Sequence, residues 1–268
     1  MFRLSLVFAV LALSSAAAAA AEPKQPTGKW IAEFGDHQCI LSRAYGGPKD
    51  VLILAFQKLP MQAGIELNVL KTDKRTDSAR GWARIGFPKG TSVDVAFGAY
   101  RVAPNIRKIS VRLEDESYRS VAESGVVSLS IPRELEEGFT VPGFGAALNI
   151  LDQCVVNLGE VWGISKDQQT RVGRLAKLIE QESLFNSSDY PLGALKEDAS
   201  GRTIVRHVVD EAGRPSDCVL LKSSGNKFLD LASCSKLLKR ARFEPALDVQ
   251  GRPMRSVSVT AVNWLLIS

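Results

Sequence analysis

Short alternations of apolar and polar residues fill the first half of the chain. They recur at residues 30–34, 39–43, 51–59, 65–71, 82–85, 93–97, 108–113 and 126–131, with Gly, Pro, Asn and Asp between them. This spacing predicts an antiparallel sheet, a small sandwich or barrel. Pro142, Gly143, Phe144 and Gly145 break the pattern, and its period then changes. Leu148, Leu151, Val155, Leu158 and Trp162 recur every three or four residues, which predicts a helix with Cys154 beside its apolar stripe. A second helix is expected after Ser165, an N-cap with Gln168 three residues on, carrying Val172, Leu175, Leu178, Ile179 and Phe185. Asn186 to Asp189 reads as a polar loop.

The last segment has its own order. Strands are predicted at 204–209 and 217–221 around a turn holding Gly213, then a helix capped by Asp230, then a long strand at 254–267. The whole is α+β: an N-terminal antiparallel β-rich domain with one or two following helices, then a small strand, strand, helix, strand domain. The expected divisions are a signal peptide at 1–21, the β-rich domain at 22–163, a helical connector at 164–189 and the C-terminal domain at 190–268, which is expected to fold alone.

The division at residue 21 rests on one apolar run. Arg3 precedes an apolar stretch, and Ala16 to Ala21 supply the small residues a signal peptidase needs. An uncleaved inner-membrane anchor is the alternative. Export turns the four cysteines toward disulfides, and four allow three pairings. Pairing within domains, Cys39 with Cys154 and Cys218 with Cys234, is the economical choice. No metal or cofactor site is expected, since no C-x-x-C occurs and the G-x-G at 143–145 lacks its third glycine.

Composition adds little: 24% charged residues and a net charge of +5 suit an ordinary globular protein. The densest basic group, Lys236, Lys239, Arg240 and Arg242, reads as a solvated helix flank, and no nucleic-acid partner is expected. A periplasmic hydrolase finds no G-x-S-x-G or H-E-x-x-H, and only His37 and His207 are present. Glu136 with Glu137 and Asp115 with Glu116 read as solvated loop pairs. Binding of peptidoglycan or another envelope polymer through exposed N-terminal aromatics is the alternative function.

The C-terminal segment resembles the C-terminal domain of the TonB energy-transducer family. The likeness lies in Tyr190 and Pro191, Gly201, the hairpin residues Asp210, Gly213 and Arg214, then Ser223 to Gly225 and Leu229 with Asp230. Arg242 to Ala246 and Gly251 to Pro253 complete it. It implies a three-stranded sheet under one helix, a place in the periplasm, and capture of an outer-membrane transporter or other envelope protein by strand addition. The matching edge is the final strand, with Val257, Ser258, Val259, Thr260, Ala261, Asn263 and Trp264 as partner-binding residues; a homodimer could form through the same edge. In the family's arrangement Cys218 and Cys234 lie close enough to bond. The chain departs from the family in lacking a long Pro- and Lys-rich spacer and in carrying a β-rich domain instead, so force transmission from the inner membrane would be lost with a cleaved signal.

Overall fold

The computed structural model describes residues 22–179 and 184–266, so the expected signal peptide lies outside the described residues. Nine antiparallel strands form the N-terminal sheet: β1 (Ile31–Gly35), β2 (Gln38–Ala44), β3 (Leu52–Lys58), β4 (Ile65–Thr72), β5 (Ala79–Gly86), β6 (Ser92–Ala103), β7 (Ile106–Leu113), β8 (Val126–Ile131) and β9 (Leu135–Thr140). Their spatial order is β1-β2-β3-β4-β7-β6-β5-β8-β9, so the β5-β6-β7 meander returns its last strand to β4 in a Greek-key connection. The chain before β1 laces the ends of this sheet together. Lys24 N–H donates to Gly138 O at 2.7 Å, Thr140 N–H donates to Lys24 O at 3.0 Å, and Thr27 N–H donates to Ala44 O at 2.9 Å. A sheet bridged in this way curls into a half-barrel around its apolar face.

Alternation sets that face. In β7, Arg107, Ile109, Val111 and Leu113 point inward while their neighbours are half exposed. Arg107 therefore lands in the core, where Glu134 accepts from it at 2.7 and 2.8 Å and the Asp77 carbonyl at 2.6 Å, so the buried charge is fully partnered. Helix α1 (Asp115–Ser124) ends at Gly125, whose left-handed φ of 67° only glycine adopts freely. The apolar stripe of α2 (Phe144–Val161) packs on β1 to β3, where Phe56 and Phe144 stack at 4.2 Å and the Cys39–Cys154 disulfide fixes the helix. That pairing and the Cys218–Cys234 bond both follow the expectation.

Several features differ from the pattern reading. Asp115 and Glu116 open helix α1 rather than a loop, and Asp115 accepts from Gly64 N–H at 2.9 Å; Glu136 and Glu137 lie in β9. Residues 164–189 are not a helical connector. The Ser165–Gln168 capping box forms, but α3 (Lys166–Thr170) is one turn and a half, followed by β10 (Val172–Arg174) and β11 (Lys177–Ile179). A three-residue apolar spacing fits a helix as well as two short strands. Here the extended residues after the C-terminal helix supply backbone partners and decide the matter.

The C-terminal module begins with α4 (Leu192–Lys196) and continues through β12 (Gly201–Val209), β13 (Pro215–Lys222) and α5 (Lys227–Arg240) to β14 (Arg242–Glu244), β15 (Ala246–Asp248), β16 (Pro253–Met254) and β17 (Ser256–Trp264). β11 pairs with β14, and β10 with β15. The main sheet has the order β13-β12-β17. The cap of α5 is Asn226, accepting from Phe228 and Leu229 N–H, not Asp230. Asp230 instead gathers the Ser223 and Ser224 hydroxyls, the Ser224 N–H and the Thr203 hydroxyl. Burial alone would raise its pKa; these donors more than offset it and hold the carboxyl below its ordinary value. At Gly213, with φ of 76°, a side chain would sit 1.9 Å from the Phe243 carbonyl, so the turn must be bare where β14 crosses it.

Candidate functional site

β17 ends its sheet. Nine residue pairs, from Gly201 with Trp264 to Val209 with Ser256, join it to β12 without a break, and among the described residues it has no second strand partner. None of its backbone groups bonds to a loop or turn among those residues. At the opposite edge the β12–β13 register shifts twice, and Pro215 and the positive-φ Asp217 interrupt β13. Bulges and proline blunt an edge against pairing, so the two edges of this sheet are not equivalent.

Both faces of β17 are already occupied. Ser256, Ser258, Thr260, Val262 and Trp264 share a side with the odd-numbered residues of β12, under α5. Trp264 is buried, donates through Nε1 to Ser233 Oγ at 2.8 Å, and meets the rings of Phe185 and Tyr190. Val257, Val259 and Ala261 lie on the other side and pack, with Ile204 of β12, into the N-terminal core. Of the seven residues expected to bind a partner, only Asn263 is exposed. Side-chain readout from this strand is therefore minimal, and its outer edge offers main chain.

His207 belongs to the helix face. It is fully buried, with Nε2 3.0 Å from Thr260 Oγ1, the Phe243 ring 5.1 Å away, and Nδ1 without a hydrogen-bond partner among the described residues. Burial pushes its pKa down to about 4, so the imidazole is neutral. The other face adds polar contacts to its apolar packing. Arg202 donates to Glu66 at 3.0 Å and to Gln57 at 3.0 Å, and Arg206 donates to the Trp162 carbonyl at 3.1 Å. Burial raises the Glu66 pKa, but Arg202, Lys108 and Arg112 outweigh it and bring the carboxyl to about 2.

A cleft runs along the outer edge of β17. Its middle is narrow: the Gln62–Ala63 turn and residues 176–178 face Ser258 to Ala261 across it, and Ser258 Oγ donates to the Met61 carbonyl at 3.5 Å. Two wider depressions lie near the ends of β17: one takes in Met254 to Val257 together with Val208 of β12, so it opens on the sheet face those residues share and not on the edge, and one follows Asn263 to Leu266. The basic group on α5 is partly structural. Lys236 and Arg240 both hold the buried Asp189, which closes a capping box with Asn186, so the 186–189 loop is pinned to the helix. Neither that anchor nor the double occupancy of β17 shows in apolar periodicity; the acid among three polar residues before Tyr190 was the available signal.

Residues 186–266 match the family model described as Gram-negative bacterial TonB protein C-terminal. No curated protein and no solved structure matches this chain. The C-terminal segment is thus a TonB C-terminal domain. Among the described residues no helix is long and apolar enough to cross a membrane, and no group of three or more His, Cys, Asp or Glu side chains could hold a metal ion.

Proposed function

We propose that this is a periplasmic TonB-like protein, exported by a cleaved signal peptide, whose C-terminal module binds an outer-membrane transporter or another envelope protein by adding a strand to the outer edge of β17. One observation carries the reading: β17 is paired without a break on one side and by nothing described on the other. With both side-chain faces committed to the fold, main-chain hydrogen bonds are what the edge can offer, which is how strand addition gains affinity. The module works as an interaction surface and not as an enzyme. Its buried His207 has a threonine hydroxyl and a phenyl ring for neighbours, and no carboxylate is hydrogen-bonded to it among the described residues.

The test uses the whole mature chain. Hydrogen exchange should show alternate amides of β17 exchanging fast in the free protein and becoming protected on partner binding. Proline at one of those fast amides should abolish capture from outer-membrane extracts, while Asn263→Ala should leave it intact, both variants first being shown to be folded by circular dichroism. Full capture by a folded proline variant would sink the mechanism. The exposed aromatics Trp82 and Phe34 keep binding of an envelope polymer by the N-terminal domain as a second reading, and such binding would survive the proline change.

A further inference from the structure

The two outer edges of the nine-stranded sheet are treated differently. β9 is covered by the chain around Lys24, which bridges to Phe139, donates to Gly138 O at 2.7 Å and accepts from Thr140 N–H at 3.0 Å. β1 pairs with β2 from Ile31 with Ser42 to Gly35 with Gln38, and among the described residues it has no second strand partner. Exposed edges are ordinarily guarded by proline, lysine or a bulge. β1 reads Ile-Ala-Glu-Phe-Gly and runs along β2 without a register shift, so it carries none of these guards. Ile31 and Phe34, on opposite sides of the strand, are 58% and 65% exposed.

The apolar surface continues onto α2. Phe34 lies opposite Cys39, whose disulfide partner is Cys154. Helical spacing puts the exposed Ile150 and Val161 within about 40° of Cys154, on the flank away from Asp152, which holds Lys58 of β3. Cys39 faces Lys58 across β2 and β3, so the flank with Ile150 and Val161 looks toward β1. The outward side of β1 carries charge as well. Trp30 packs inward on Phe56 and Phe144, so Lys29, Ile31 and Glu33 share the opposite side, and all three are exposed. Neither Lys29 nor Glu33 belongs to an ion pair among the described residues.

We infer that β1 is the contact of a two-fold dimer, in which a second copy of this chain adds its own β1 antiparallel with Ile31 facing Ile31. A two-fold axis perpendicular to the sheet keeps every side chain on its own side, so the axis must pass through a residue and not between two. Centred on Ile31, Lys29 of each copy faces Glu33 of the other, and Trp30 faces Ala32. Centred on Glu33, two like charges would meet, which is destabilising, and centred on Ala32, Ile31 would face Glu33. Cation, isoleucine and acid thus form a self-complementary row in one register. Pairing gives the free backbone groups of β1 partners and takes Ile31 out of water, with Phe34, Ile150 and Val161 bordering the contact. The inference is independent of strand addition at β17.

Sedimentation equilibrium of the whole mature chain should show a monomer in equilibrium with a dimer. Lys29→Glu alone and Glu33→Lys alone each set like charges against one another at both ends of the contact and should weaken the dimer about tenfold or more. The double exchange should restore it. An equimolar mixture of the two single variants should associate too, because each then supplies the charge the other lacks. Mild oxidation of Ile31→Cys should link two copies covalently, whereas Gly35→Cys should not. Every changed position is exposed, so circular dichroism should match the wild type. A monomer at all concentrations would overturn the inference. A dimer indifferent to both single exchanges would place the contact on another surface, the β17 edge among them, and overturn it as well. Failure of the mixed variants to associate, or cross-linking through residue 35 in place of 31, would remove the register and the inference with it.

Discussion

The two sheets of this protein solve burial in different ways. The nine-stranded sheet curls on itself, covers its apolar face with its own α2, and neutralises its buried Arg107 with its own Glu134. The three-stranded sheet covers one face with α5 and lends the other to its neighbour, where Ile204 and Val259 join the N-terminal core and Arg202 reaches Glu66. A fragment of residues 190–268 would expose that second face and lose the β10 and β11 pairings. The first sheet is a base; the second is a guest on it.

Removing the base's staple should have the largest effect. Cys39 and Cys154 are 115 residues apart, and the chain-entropy model gives about 4–5 kcal/mol for a loop of that order. The 16-residue separation of Cys218 and Cys234 corresponds to about 3 kcal/mol. Urea titrations of the two double-serine variants should rank them in that order, and the first should lose both sheets in one transition. Separate transitions would show that the guest stands without its base.

Acid should attack the guest's own face next. His207 is held neutral with a pKa of about 4, against an ordinary value of 6.5, so the unfolded chain binds the extra proton between those values. Stability is therefore unaffected above pH 6.5 and falls as pH drops toward 4, by about 3 kcal/mol in all. His207→Gln should flatten this limb of a Tm–pH curve. An unchanged limb would show that the imidazole does not limit acid stability.

The borrowed face should respond least and at lower pH. Glu66 titrates near 2, so its contribution is fully present above 4.5 and is lost progressively as pH falls from there toward that lower value. Glu66→Ala leaves Arg202 and Lys108 facing each other and should cost about 2 kcal/mol, less than a fully enclosed pair because both cations retain some solvent. Differential scanning calorimetry checks it. A loss confined to the C-terminal transition would localise the effect to the interface, whereas a wild-type profile would mean the ion pair contributes nothing net.

Much of this was legible in the chain. Strict alternation, as in residues 108–113, marked strands of the nine-stranded sheet, and export logic gave both disulfides. β9 escaped because Glu136, Glu137 and Gly138 break its alternation. Residues 172–179 misled because their spacing suits two structures and the choice depends on residues 242–248, about seventy positions later. At the candidate site, the identity and position of the final strand were readable, but its enclosure on both faces was not. Alternation between apolar and small polar residues announces one buried face, and Ser258 and Thr260 lie buried under a helix although their side chains are polar.

The long-range disulfide also bears on when the two sheets reach their final form. Typical domains are stable by about 5–15 kcal/mol, so a bond worth roughly 4–5 kcal/mol supplies a large share of what keeps the base closed. In a reducing compartment that bond stays open. The base is then loosest where the bond is open and tightens on reaching oxidant, where residue 39 can be joined to residue 154. Because the guest's second face is built on the base, the C-terminal sheet gains its full support only after that oxidation, so the order in which the two sheets settle hangs on one covalent step.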